Sequence, residues 1–223
     1  MNRLFTFGCS YTALYVNNNI PNYLKYREFK GGVYPKTWSE LLSEKLNLKL
    51  VNYGIGGSGN DLIFETFCDK SDELRKGDTV IIEWSYHTRI NYKFDLDSDI
   101  IDQIAVYRNQ EHYQNQFLTY QKVIDMVCKY LGVNVYYWSG DRDVIYKLDK
   151  NLLYDKKYLL CDKIVLDEHG EYTPFNNVFN LGGETIEEET NGLIKDNHFG
   201  ESAHRIMADL FYDHIINFKK SVI

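Results

Sequence analysis

No apolar run in the 223-residue chain approaches the ~18 residues that a membrane-spanning helix requires. The opening "MNRLFTFG" has neither the length nor the small-residue cleavage site of a signal peptide. A soluble, cytoplasmic product that stays off membranes is therefore expected. No run of Lys or Arg exceeds two residues, and the formal net charge of -7 sets up a field that repels phosphate backbones, so nucleic acid is not an expected partner. Cys9, Cys68, Cys128 and Cys161 form no C-x-x-C pair. In a chain of this size they are expected as separate buried thiols, in keeping with a reducing compartment.

The motifs of several cofactor classes are missing as well. The glycines at 54, 56, 57 and 59 do not make a phosphate loop, because no G-K-[ST] follows them. "DLDSDIIDQIAV" begins like a calcium loop at Asp95, Asp97 and Asp99, yet Ile100 stands where the turn glycine belongs and Val106 where the last glutamate belongs. His112, His169, His204 and His214 have no H-x-x-x-H partner, and His204 is expected on a helix surface. Neither a metal nor a cofactor is expected.

What the chain does contain is a globular composition. The 44% hydrophobic fraction excludes a disordered chain, and the length fits one domain over residues 1–223. Nineteen tyrosines predict surfaces that are apolar yet able to hydrogen-bond, which suits sugars or mixed polar ligands. Residues 3–8, "KLVNYGI", "TVIIEW" (79–84) and "VNVYYWS" are short apolar runs of the kind buried on both faces of a sheet.

Segments with helical period separate these runs. Trp38, Leu41, Leu42 and Leu46 share one face, with Thr37 and Glu40 placed as a capping box. Further helices are predicted from about Gly59 to Arg75, over residues 115–131, and from Glu201 to Phe218. Strand followed by helix, repeated, predicts an α/β fold with a parallel sheet of about five strands covered by helices on both faces. Residues 13–36, 88–112 and 140–195, the last with a hairpin expected at "LDEHGEY", interrupt the alternation. They follow predicted strand ends, the edge at which α/β sheets bind ligands, and read as substrate-shaping insertions, or else as decoration or an oligomer contact. The acidic "GGETIEEET" reads as a solvated loop.

Three segments carry candidate chemistry. In "FTFGCSYT" a strand ends at Gly8, so that Ser10 can project its oxygen above the carboxyl edge of the sheet, though serine is equally at home in an ordinary turn. In "KDNHFGESAHRIMADLF" Asp196 precedes His198 by two positions; a carboxylate so placed can accept the Nδ1 proton and leave Nε2 free to take one from a hydroxyl. The same pair could instead serve to cap the following helix. In "NYGIGGSGND" the glycines let main-chain N–H groups approach a ligand at a helix N-terminus, though the segment reads equally as a simple glycine-rich turn from strand to helix.

Together "FGCSYT", "NYGIGG" and "DNHFG" resemble, in order and separation, the blocks of the SGNH or GDSL family of serine esterases. The resemblance implies a three-layer, flavodoxin-like fold and cleavage of esters, often acetyl groups on carbohydrates, lipids or small alcohols. It implies Ser10 as nucleophile, Asp196 and His198 as its partners, and the main-chain N–H groups of Ser10 and Gly57 as oxyanion donors. Three departures stand out. Cys9 occupies the place of an aspartate whose side chain helps to shape the serine turn. Asp196 and His198 are separated by one residue rather than two. The asparagine of the third block is missing after "TVIIEW", so either Asn60 or His87 takes its place. Tyr11 and Arg89 are candidate substrate-binding side chains, and the expected partner is a small-molecule or carbohydrate ester. The competing reading from these departures is a non-catalytic carbohydrate-binding or assembly module on the same fold.

Overall fold

Four six-residue strands, β1 (Arg3–Gly8), β2 (Lys49–Gly54), β3 (Thr79–Trp84) and β4 (Asn134–Ser139), form one parallel sheet in the order β2-β1-β3-β4. This computed structural model describes residues 2–17, 21–85, 110–139, 178 and 181–221. The central strands are the most apolar because both of their faces are covered: β3 is buried at every position, whereas β2, at an edge, is only half-buried. Four strands are seen among the described residues, where the sequence suggested about five.

Helices α1 (Pro21–Phe29) and α2 (Trp38–Leu46) lie between β1 and β2, α3 (Asn60–Lys70) between β2 and β3, and α4 (Gln110–Leu131) between β3 and β4. The short α5 (Ile186–Glu189) and the long α6 (Glu201–Ser221) follow β4. On one face of the sheet, Phe5, Phe7, Val80 and Ile82 pack against Ile63 and Phe67 of α3 and Ile124 and Cys128 of α4. On the other, Leu4, Ile81, Tyr136 and Trp138 pack against Trp38 and Leu42 of α2 and Met207, Phe211 and Ile215 of α6. The result is three layers, α/β/α.

The strand order dictates where a ligand can sit. From β1 the chain steps outward to β2, then crosses back over β1 to β3, and right-handed crossovers place the two connections on opposite faces. This reversal leaves a crevice at the carboxyl ends of β1 and β3, the switch point at which such sheets bind ligands. Gly8, Cys9 and Ser10 emerge there from β1, and Trp84 and Ser85 from β3.

Several local expectations are corrected. Residues 21–29 lie in an insertion read as loop and form α1; Pro21 opens it at the first helical position, where a missing N–H is harmless, and Tyr23 and Tyr26 supply its buried face instead of aliphatic residues. The acidic run is not merely a solvated loop. Glu188 caps it by accepting the Thr185 N–H at 2.7 Å while its own N–H donates to Thr185 Oγ1, Ile186 is fully buried, and the Glu189 side chain is 7% exposed. Cys9 and Cys128 are buried as expected but Cys68 is exposed, on the outer face of α3. The expected hairpin at "LDEHGEY" and the acidic loop from Asp95 lie outside the described residues. No described helix is long and apolar enough to cross a membrane.

Candidate active site

As β1 ends, the Cys9 carbonyl accepts the N–H groups of Thr12 and Ala13, both at 3.0 Å, and so closes a tight turn around Ser10. The peptide joining Cys9 to Ser10 is trans, so the Ser10 N–H points opposite to the Cys9 carbonyl, away from that turn. A serine delivered in this way offers a hydroxyl and an N–H from one rigid element. The glycine-rich loop after β2 is tied to the same place, since the Ile55 N–H donates to the Gly8 carbonyl at 3.0 Å. Within that loop Gly57 has φ +81, a conformation that side chains disfavour, and open space surrounds the position a Cβ would take.

The other half of the site comes from the chain between α5 and α6. The first free N–H groups of α5 hold it: Ile186 donates to the His198 carbonyl and Glu187 to the Asp196 carbonyl, both at 2.9 Å. Tyr15 fastens the far side by donating its hydroxyl to the Phe199 carbonyl at 2.7 Å, and the Asn22 amide donates to the Lys195 carbonyl at 3.0 Å. Tyr15 and Asn22 therefore act here as a buttress for the histidine loop. Tyr23 completes it, its ring meeting the His198 ring edge-on with centroids 5.6 Å apart.

These supports bring together side chains 188 positions apart. His198 Nε2 lies 2.9 Å from Ser10 Oγ, and His198 Nδ1 lies 2.6 Å from Asp196 Oδ1. The same Asp196 oxygen accepts the main-chain N–H of His198 at 2.9 Å. A one-residue separation thus works by folding the carboxylate back onto its own histidine, which fixes ring and backbone with one oxygen. Burial alone would raise the Asp196 carboxyl, but the ring, the His198 N–H and the Asn22 amide outweigh it and hold the group below the usual carboxylate range. Asp196 is accordingly an anion in contact with the ring nitrogen that would carry a proton.

The remaining predicted residues are placed as follows. Tyr11 packs its ring against His198 and Phe199, each at 5.0 Å between centroids, and its carbonyl accepts the Trp38 indole N–H. It lies beside Ser10 and His198, half-buried. Asn60 is buried at the start of α3, where its Oδ1 accepts the Ser85 N–H at 2.7 Å and its Nδ2 donates to the Ser85 carbonyl at 3.2 Å. It therefore clamps the chain as it leaves β3, with one Nδ2 hydrogen outside that clamp. His87 and Arg89 lie outside the described residues.

Two residues were not foreseen and a third was expected elsewhere. Glu83, 1% exposed on β3, accepts the N–H and the thiol of Cys9. Glu189 accepts Ser202 N–H and hydroxyl groups, the Tyr26 hydroxyl and the Lys30 ammonium; these overcome the effect of burial and lower its carboxyl to about 2. It thereby anchors the N-terminus of α6 to α1 and α5 behind the histidine loop. His204 is not a surface residue: it is 3% exposed, and its Nδ1 accepts the Trp38 N–H at 3.1 Å at the start of α2. A cavity of about 380 Å³ between Tyr34, Lys36 and Arg205 contains none of Ser10, Asp196 and His198, and its cations are paired with Glu44 and Glu201.

The sequence matches no family profile and no curated protein. The fold does find matches among solved structures. One is a lipolytic protein of the G-D-S-L family from Desulfitobacterium hafniense DCB-2, with a TM-score of 0.55 and 13% identity over 96% of this chain and 99% of that one. Another is the protein YxiM of Bacillus subtilis, with a TM-score of 0.52 and 14% identity; all of this chain is covered, but only 57% of that one. Both likenesses are of fold, and they place the parallel sheet and flanking helices of this chain in the same three-layer architecture as those two proteins.

Proposed function

We propose that the protein is a serine ester hydrolase of the SGNH or GDSL kind, with Ser10 as nucleophile, His198 as general base and Asp196 as the carboxylate that orients it. The observation that carries this reading is the unbroken hydrogen-bonded chain from Ser10 Oγ through both ring nitrogens of His198 to Asp196. A serine hydroxyl is a poor nucleophile until an adjacent base takes its proton, and this arrangement sets an imidazole nitrogen against the hydroxyl with Asp196 placed to hold a proton on the other nitrogen. The lipolytic G-D-S-L protein among the structural matches fits the reading.

In the first half-reaction Ser10 Oγ attacks the ester carbonyl while its proton passes to His198 Nε2. The tetrahedral oxyanion is held by the Ser10 N–H and the Gly57 N–H, with the second Nδ2 hydrogen of Asn60 as a further donor, and collapses as His198 returns the proton to the leaving alkoxide. Water then enters, loses a proton to His198 and releases the acid. Asp196 stays ionised throughout and steadies the imidazolium. The substrate is a small polar ester, such as an acetylated sugar: Tyr11, half-buried against His198, offers a ring of the kind that stacks on sugar faces and a hydroxyl that hydrogen-bonds.

The test is hydrolysis of p-nitrophenyl acetate and acetylated monosaccharides by the wild type, Ser10→Ala and His198→Ala over about pH 5 to 9. The expected result is activity that rises with pH in the wild type and is lost in both variants. Equal rates in wild type and Ser10→Ala would overturn the proposal and favour a binding module.

A further inference from the structure

The carboxylate of Glu83 sits fully buried beneath the serine turn, a place where an acidic side chain is costly unless it is used. β3 runs parallel to β1 with Phe7 opposite Ile82, so the next residue on, Glu83, still within β3, lies beside Gly8. Its side chain crosses Gly8 rather than pointing into a helix layer. A Cβ at Gly8 would come within 2.4 Å of Glu83 Oε2 and 2.6 Å of Thr12 Oγ1, so the missing side chain is what makes room for the carboxylate. Oε2 then accepts the Cys9 N–H at 3.0 Å, and Oε1 accepts the Cys9 thiol at 2.8 Å.

We infer that Glu83 is the positioning residue of the nucleophile, the group that sets the main chain of Cys9 and through it both the hydroxyl and the N–H of Ser10. This inference rests on the esterase reading above. Cys9 is gripped at both ends: Glu83 takes its N–H, and the Thr12 and Ala13 N–H groups take its carbonyl. With both ends fixed, the plane of the peptide leading into Ser10 is fixed, and with it the direction of the Ser10 N–H and the starting point of its side chain. Without Glu83 the Cys9 N–H would be a buried donor lacking its acceptor, and the turn would be free to rotate. A shift of about 1 Å in a reacting atom costs on the order of a hundredfold in rate.

Glu83→Gln keeps a carbonyl oxygen for the Cys9 N–H, whereas Glu83→Ala removes the acceptor. For p-nitrophenyl acetate, kcat should fall about a hundredfold in Glu83→Ala with KM changed by less than about threefold, and no more than about tenfold in Glu83→Gln. Cys9→Asp would set a second carboxylate against Oε1 and should lose activity as Glu83→Ala does. Cys9→Asp combined with Glu83→Gln should regain at least about tenfold over Cys9→Asp, because the amide can donate to the new carboxylate. General destabilisation would not produce that recovery. Hydrogen exchange of the Cys9 amide is read alongside and does not depend on catalysis; it should be slow in wild type and Glu83→Gln, and at least about tenfold faster in Glu83→Ala.

Wild-type kcat and wild-type exchange at Cys9 in Glu83→Ala would overturn the inference while leaving the esterase standing. A wild type that hydrolyses no ester would defeat the esterase, and the exchange comparison would then decide the role of Glu83 in the turn. If Glu83→Ala does not fold, the comparison of Cys9→Asp with the double variant decides it, absence of recovery counting against the inference.

Discussion

Acid should weaken this fold well above the pH at which its carboxylates titrate, because His204 is buried as the neutral imidazole. Burial, the dominant cause, pushes its pKa from 6.5 to about 3; Glu189 opposes the shift and His198 adds to it. The groups packed around it are the Tyr15 and Phe199 rings and the start of α2, where its Nδ1 accepts the Trp38 N–H. An imidazolium could not accept that hydrogen bond.

The sign follows from proton counting. Below pH 6.5 the unfolded chain binds a proton at this position and the folded chain does not, so stability falls as pH falls, by about 1.4 kcal/mol per pH unit. Between pH 7.5 and 5 the loss is about 2 kcal/mol, a visible fraction of the ~5–15 kcal/mol that holds a domain folded. Glu189 belongs to a separate window, because a carboxyl lowered from 4.5 to about 2 contributes stability that is lost only as pH falls through that range. Urea unfolding followed by the fluorescence of the buried Trp38, Trp84 and Trp138 gives the slope directly. His204→Asn keeps an acceptor near Nδ1 but has no proton to gain; it should be less stable at neutral pH and nearly flat from pH 7.5 to 5. A flat wild-type curve, or an unchanged slope in His204→Asn, would refute the reasoning.

Other consequences can be measured in the same way. Asp196→Asn can still accept the His198 N–H but no longer stabilises an imidazolium, so kcat should fall roughly 10³- to 10⁴-fold in steady-state assays with little change in KM. Glu189→Ala leaves the Ser202 N–H and the Tyr26 hydroxyl without their acceptor, with Lys30 keeping Glu201, and should cost about 2–4 kcal/mol in urea titrations. Tyr23→Phe keeps the ring that packs against His198 and should change stability by less than about 1 kcal/mol, whereas Tyr23→Ala should cost about 3–5 kcal/mol and lower kcat as the histidine loses its support.

The parts of the structure legible from sequence are those where local pattern and tertiary role agree. The Thr37–Glu40 capping box and the Trp38–Leu42 stripe are read from neighbours in the chain, and α2 forms where they predict, with Glu40 accepting the Thr37 N–H at 2.7 Å. The strands were legible for the same reason, since β1 and β3 are apolar on both faces. α1 escaped because its buried face is tyrosine, which looks the same in a loop, although Pro21 at its first position was a usable signal. α5 escaped because an acidic run suggests solvent, yet the spacing of Thr185 and Glu188 is a capping box.

Buried polar residues were the least legible. His204 follows the apolar stripe of α6 as a surface residue would, and only packing against Tyr15 and Phe199 reveals otherwise. Glu83 did leave a trace, an acid inside a strand buried at every position, but its partner is 74 residues away and no local rule could name it. The proximity of Ser10, Asp196 and His198 was legible because strand order brings the first and last segments to one sheet edge. The tyrosine buttress that holds them was not, since it depends on how Tyr15, Tyr23 and Tyr26 pack against Ile186 and Ile194 across the fold.

The most direct test of the proposed site is reaction of the wild-type protein with a fluorophosphonate, followed by intact-mass and peptide mass spectrometry. The account predicts one adduct per chain, carried by Ser10, absent in Ser10→Ala and formed at least about a hundredfold more slowly in His198→Ala. No adduct, or one borne by Cys9 or another residue at undiminished rate in His198→Ala, would contradict it.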